Sequence, residues 1–298
     1  MSTGGESDIC PGHYMERVLY EELCKELNDD PESIKRVFGL YPNIPENTIN
    51  AIWHRLQRSR CKRQGIELKR RGVTEAMLLA EYERILRQLL SDNELSEVLN
   101  RLNSIYGLTP CVMMRLLIKA ALPERQKETT AVLLDPGSHF KSASACLWKR
   151  ILYTHLERSC YWSLENDAVN APHMDEIRHR IGREGEIRLE EGLKAAGLSF
   201  LSESQLKQDG YGKTPDALMI VPIGLPEYDF VACWWESKAG FGDDEVFGEH
   251  VMEQLQYYRE RYGPGVVIYW DGHVKMKNQR EDILVLSEIP KEFIFCGS

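Results

Sequence analysis

Apolar residues in the first half of the chain recur every three or four positions. In the second half they also gather into short uninterrupted runs. Tyr14, Val18, Leu19, Leu23 and Leu27 keep the spacing of one helix face. Asp30 and Pro31 start a second helix that carries Ile34, Val37 and Phe38, with Gly39 as its stop. Pro45 and Glu46 open a third, with Ile49, Ile52, Trp53 and Leu56 on one side. Thr74 and Ser91 are candidate caps for helices over 75–90 and 92–105, and Thr109–Pro110 leads into another through CVMMRLLIKAAL. Short helices joined by small turns predict a helical bundle with room for helix-turn-helix units.

The pattern changes near residue 165. The polar segment LENDAVNAPH, with Pro172, reads as a linker. Beyond it, ALMIVP (217–222), DFVACWW (229–235) and VVIYW (266–270) are rich in β-branched and aromatic residues and too short for buried helices. From Asp175 the predicted order is helix, strand, strand, helix, strand. The expected chain is α+β overall: a helical domain over 10–165 and a mixed α/β domain over 170–298.

Composition supports two packed domains: 298 residues, of which 43% are hydrophobic and 28% charged, exclude disorder as the main state. No run approaches the roughly 20 apolar residues of a membrane helix. MSTGGESDICPGH lacks the basic and apolar regions of a secretion signal, so a soluble intracellular protein without a membrane partner is expected. The eight cysteines form no CxxC pair and read as reduced, mostly buried thiols.

Charge is unevenly placed. The net charge of −9 comes wholly from residues 171–298, because residues 1–170 carry 23 acids and 23 bases. Within that neutral half lies HRLQRSRCKRQGIELKRRG, where Arg55, Arg58, Arg60, Lys62, Arg63, Lys69, Arg70 and Arg71 face a single acid, Glu67. It is either a solvated helix end and loop, or a phosphate-contacting or nuclear-import segment.

The candidate chemistry lies in the acidic half. Asp216 begins the first predicted strand of a hairpin, Glu236 ends the second, and Gly224 and Pro226 provide turn residues between them. At the open end of an antiparallel pair these acids meet, and Lys238, two residues after Glu236, shares its face. Two neighbouring carboxylates repel, so one must hold its proton or both must share a cation. A hard oxygen site of this kind suits Mg²⁺ or Mn²⁺. An adjacent lysine can orient a water and balance developing charge. Upstream, Glu186 is in helical phase with Leu189, Leu193 and Gly197, which places a carboxylate on an apolar face. Glu184, about 200° round the helix, points elsewhere and reads as a helix-start charge, with a supporting place at the site as the alternative. Downstream, EHVMEQLQYYRERYG is a helix that carries Gln254.

The motifs T-P-D at 214–216, E-S-K at 236–238, GxxxE from Gly182 to Glu186 and QLxxY from Gln254 to Tyr258 together resemble the PD-(D/E)xK nuclease superfamily. The Gly182–Gly197 pattern and the Gln-Leu helix are similar, more distantly, to archaeal Holliday-junction resolvases. GYGKTPD, WWESKAGFGD and RYGPGVVIYW resemble one family more closely, the TPD family of animal codanin-interacting nucleases. The resemblance implies a restriction-endonuclease-like core with a mixed sheet, acting on nucleic acid, in particular DNA. It implies a divalent metal on Asp216, Glu236 and the Ser237 carbonyl, with Lys238 positioning the water. Glu186 would be a second-metal ligand or base partner, and Gln254 a supporting residue. Codanin as partner, and a nuclear and cytoplasmic location, are likewise implied.

Other readings compete. Asp216 and Glu236 can be strand-end acids, Lys238 an ion-pair partner, Glu186 a charge favoured by the helix dipole, and Gln254 and Tyr258 packing residues. Asp243, Asp244 and Glu245 read as a solvated loop, and the Trp234–Trp235 pair as core. The alternative function is a nuclease-fold scaffold, catalytically weak or inactive, that works by binding codanin.

Overall fold

Helix breaks in the first 73 residues follow backbone geometry more closely than composition. The computed structural model describes residues 14–28, 30–89, 95–141, 146–277 and 280–295. Helix α1 (Arg17–Glu26) buries Tyr20 and Leu23, and α2 (Glu32–Leu40) buries Val37. Gly39 does not stop α2; the helix passes through it and ends before Tyr41. Helix α3 (Glu46–Arg70) buries the predicted Ile49, Ile52, Trp53 and Leu56, then carries on through the basic segment. It ends at Gly72, whose φ of 72° reverses the chain while the Val73 N–H returns to the Leu68 carbonyl at 3.0 Å.

Contacts divide the chain into two compact units. One joins the chain up to Arg55 with Arg178–Ser298; the other is Leu56–Ile177. A cut at 165–170 separates helices from strands in sequence, yet the described residues up to Arg55 fold with the strands.

In the helical unit, α4 (Glu75–Leu89), α5 (Leu95–Tyr106), α6 (Pro110–Ala121), α7 (Thr129–Leu134), α8 (Pro136–His139) and α9 (Leu147–Asn166) share a core that includes Leu78, Leu99, Met114, Leu117 and Leu156. Thr74 accepts the Met77 N–H at 3.3 Å, as a cap should; Ser91 lies outside the described residues. The buried side of α9 includes Ser159 and Ser163, so polar atoms interrupt its apolar stripe and hide it from periodicity. Tyr82 Oη satisfies one of them, lying 2.8 Å from Ser159 Oγ. Cys61, Cys111 and Cys160 are buried here, whereas Cys146 is exposed; Cys10 and Cys296 lie outside the described residues. The segment read as a linker is packed, because Val169 and Ala171 are buried. Asp167 accepts the N–H groups of Cys111 (2.9 Å), Val169 (3.0 Å) and Asn170 (2.7 Å). Its polarity serves the first turn of α6, whose N–H groups have no partner within the helix.

The α/β unit adds α10 (Pro172–Ala195), β1 (Phe200–Ser202), α11 (Glu203–Gln208), β2 (Ala217–Leu225), β3 (Phe230–Lys238), α12 (Asp244–His250), a π-helical turn (Val251–Leu255), α13 (Gln256–Tyr262), β4 (Gly265–Tyr269), β5 (Ile283–Leu286) and β6 (Ile294–Phe295). The α+β class holds: among the described residues the sheet is mixed and six-stranded, in the order β1-β2-β3-β4-β5, with β6 also on β2. β1, β2 and β3 are antiparallel, and β3, β4 and β5 are parallel. The crossover from β3 to β4 is the segment α12–π–α13. Trp234 and Trp235 are both fully buried and face opposite layers. Trp235 packs with Leu189 and Leu193 of α10, and Trp234 with Phe247, Leu255 and Tyr258. No described helix is long and apolar enough to cross a membrane.

Candidate active site

The antiparallel ladder places the two acids. Ala217 pairs with Trp235 and Leu218 with Trp234, so the next step sets Asp216 against Glu236. Farther along, Ile223 pairs with Ala232, which means β2 holds three more residues than β3 between these pairs. That bulge moves the turn to Pro226–Tyr228 and Asp229, beyond Gly224, which stays in the strand opposite Val231.

Backbone groups lock Asp216. Its N–H donates to Glu236 Oε2 (3.4 Å), its carbonyl accepts the Glu203 N–H (3.1 Å), and its Oδ2 accepts the Ser237 N–H (2.7 Å). Glu236 is buried, and Lys238 Nζ donates to its Oε1 and to Gln254 Oε1, both at 2.7 Å. Gln254 reaches the lysine from the π-helical turn, a rare distortion that is frequent at functional sites. Tyr258 Oη donates to the Thr214 carbonyl at 2.8 Å and ties the T-P-D turn to α13. Thr214 Oγ1 is buried without a hydrogen-bond partner.

Burial, then the charge of Glu236 and more weakly that of Glu186, pushes the Asp216 carboxyl well above the ordinary carboxylate range, against the Ser237 N–H and Lys238. Burial also raises Glu236, opposed by Lys238. One ammonium serves two enclosed carboxyls, so the pair is short of positive charge. An oxygen pair of this kind fits a hard divalent cation. Among the described residues, no three His, Cys, Asp or Glu side chains gather closely enough to form a metal-binding group. The fit therefore rests on two carboxylates, strand carbonyl oxygen and water.

The remaining candidates fall differently. Glu186 is exposed; the buried line of α10 runs through Gly185, Leu189 and Leu193, so Glu186 flanks the apolar face and does not lie on it. It is still within electrostatic reach of Asp216. Glu184 is exposed. Gly185 escaped sequence reading because a missing side chain leaves no periodic mark. A Cβ there would lie 2.9 Å from both Ser237 Oγ and Trp270 Cδ1. Trp270 Nε1 donates to Ser237 Oγ at 2.8 Å, and Arg188 stacks on its ring with 4.2 Å to the centroid.

The basic segment is helix to Arg70, not loop, and its members have separate fates. Arg55 is buried against Asp243 and Glu245, which takes it out of any phosphate-binding surface. Arg70 pairs with Glu67 at 2.8 Å, and Arg63 Nε donates to the Ser59 carbonyl at 3.4 Å. Arg58, Lys62 and Lys69 line a groove of about 630 Å³ in the helical unit with Ile66, Leu108 and Leu116. Arg60 is half-buried, and Arg71 is exposed at the helix end. Asp243 and Asp244 are not a solvated loop either. Asp243 is buried, caps α12 through the Glu245 and Val246 N–H groups, and accepts the Tyr20 hydroxyl. Asp244 pairs with Arg17 at 2.8 Å.

A family described as "protein of unknown function TPD sequence-motif" matches residues 153–289. Over most of its length the chain is similar to proteins named CDAN1-interacting nuclease 1. The Danio rerio protein is 30% identical over 94% of this chain and 88% of its own. For the Xenopus laevis protein the values are 29%, 95% and 91%, and for the Homo sapiens protein 27%, 95% and 98%. No solved structure matches.

Proposed function

Because the chain belongs to the CDAN1-interacting nuclease family, we propose that it is a metal-dependent nuclease of the PD-(D/E)xK kind. It hydrolyses phosphodiester bonds of nucleic acid, foremost DNA, and acts with codanin as partner. The observation that carries this reading is the placement of Asp216 directly opposite Glu236, both enclosed and served by one ammonium, Lys238.

Asp216, Glu236 and the Ser237 carbonyl are the groups that would hold Mg²⁺ or Mn²⁺. Such an ion, when bound, supplies Lewis acidity and lowers the pKa of a water. The chain's own residues do the rest. The backbone bonds at Asp216 fix its carboxylate before substrate arrives, which removes an ordering cost from the reaction. Lys238, held by Gln254, faces the negative charge that grows on the phosphoryl oxygens. Glu186, exposed and within electrostatic reach of Asp216, would take up a proton or support the outer ligands.

The test is cleavage of end-labelled DNA in Mn²⁺ by the purified wild type, by Asp216→Asn, by Glu236→Gln and by the double variant. Circular dichroism reports folding. Loss of cleavage with an intact spectrum is expected; cleavage retained by the double variant ends the reading. The second reading, a nuclease-fold scaffold that binds codanin, draws support from the lack of a third gathered ligand among the described residues. Millimolar Mn²⁺ that leaves the melting temperature where EDTA leaves it favours the scaffold.

A further inference from the structure

Beside the acids lies a surface that the hydrolytic chemistry does not use. The segment Tyr211–Thr214, just before Asp216, runs against the π-helical turn and α13. There Lys213 Nζ sits 4.0 Å from the centroid of the Tyr257 ring and donates to the Glu253 carbonyl at 2.6 Å. Arg261 lies over Tyr211, with 4.7 Å to the ring centroid. Both rings stay open, Tyr257 at 52% and Tyr211 at 36% exposure. Glu253 is the neighbour of Gln254, whose side chain touches Lys238. The cluster thus begins one residue from the site on one segment and three residues from it on the other.

A cation over an exposed ring is stabilising by itself, so what marks these two pairs is their place: two open aromatic faces, each with a cation, on the segments that lead to the acids. An unpaired nucleotide strand offers both complements: bases that stack on aromatic faces, and phosphates that meet ammonium and guanidinium groups. A continuous duplex offers only phosphates to such a surface, since its bases are stacked on each other.

We propose that Tyr211, Lys213, Tyr257 and Arg261 form a cradle for an unpaired strand entering the Asp216–Glu236 site, and that the substrate class is single-stranded nucleic acid or the unpaired arm of a branched one. The proposal rests on the nuclease reading for its meaning, but its measurement does not. The probe is a fluorescein-labelled oligothymidylate, compared by anisotropy in EDTA with a duplex of equal length, on the full chain.

Tighter binding of the oligothymidylate is expected. The Tyr211→Ala/Tyr257→Ala variant should lose about ten-fold in affinity, within the range of alanine substitutions at stacking platforms. Tyr211→Phe/Tyr257→Phe, which keeps both rings, should bind as the wild type does. Circular dichroism and thermal melting verify that each variant folds. Duplex preference, absence of binding, unchanged affinity in the alanine variant, or equal losses in the alanine and phenylalanine variants overturns the cradle. Strand binding through the tyrosines without cleavage in Mn²⁺ upholds the cradle and sinks the nuclease reading. Cleavage indifferent to both tyrosines does the reverse.

Discussion

Two clusters in the α/β unit bury acids beside a cation, and they balance charge differently. At Asp243 the supply of donors matches the demand: Arg55, whose second carboxylate partner Glu245 is solvent-exposed, the Tyr20 hydroxyl and two backbone N–H groups converge on one buried carboxylate. At Asp216 and Glu236 two carboxyls share Lys238, and both are pushed above their ordinary range. The first arrangement is complete and holds α1, α3 and α12 together. The second lacks a positive charge and is stable only with a retained proton or an added cation. A buried acid with matched donors reads as structure, and one left short reads as a site.

The sharpest way to break this contrast is to exchange the effects of the two clusters. Asp216→Asn should lower cleavage about 100-fold to 1,000-fold with the melting temperature unchanged or higher, since the repulsion goes with the charge. Initial rates and a thermal scan on one preparation check this. A drop in stability equal to that of an Asp243 variant would erase the distinction. Arg55→Met should act oppositely, costing about 3–5 kcal/mol in urea unfolding because Asp243 keeps a buried charge without its partner. Cleavage per folded molecule should stay constant.

Metal and pH sharpen the comparison further. Because Asp216 and Glu236 titrate higher in the folded chain, it holds protons that the unfolded chain has already released. Their contribution to stability is full below the unfolded carboxylate pKa, about 4. It is lost as pH rises through the raised folded values. A cation displaces those protons, so stabilisation by Mn²⁺ should grow with pH, reaching about 2.7 kcal/mol at a hundredfold excess over Kd. The Asp216→Asn/Glu236→Gln variant should show no such growth. The smallest effect belongs to Gly185→Ala, whose methyl group meets Ser237 and Trp270; about 1–3 kcal/mol is expected from calorimetry.

Strands were legible where β-branched and aromatic residues crowd together, as in β2, β3 and β4. β1 and β6, at three and two residues, are too short to carry a pattern. That Glu236 and Lys238 share a face could be read because strand alternation alone determines it, whereas their meeting with Asp216 also needs the register of the β2–β3 pair. The bulge in β2 could not, since pairing register depends on both strands at once. Periodicity sets Glu186 on the apolar face because the residue that occupies that position, Gly185, has no side chain to count. Charge counting groups Arg55 with a basic surface because its partner Asp243 lies 188 positions away and distant pairing leaves no local mark.

The α/β unit is interrupted in the chain: its first 55 residues and its last 121 enclose the whole helical unit. A ribosome therefore releases α1 and α2 long before the strands they pack with. At synthesis rates of about 5–20 residues per second, the intervening 122 residues take roughly 6–25 s. During that interval Tyr20, Leu23 and Ile49 have no finished core to enter, while the helical unit can already close. Birth order thus leaves the amino-terminal helices waiting for the strands that complete their core.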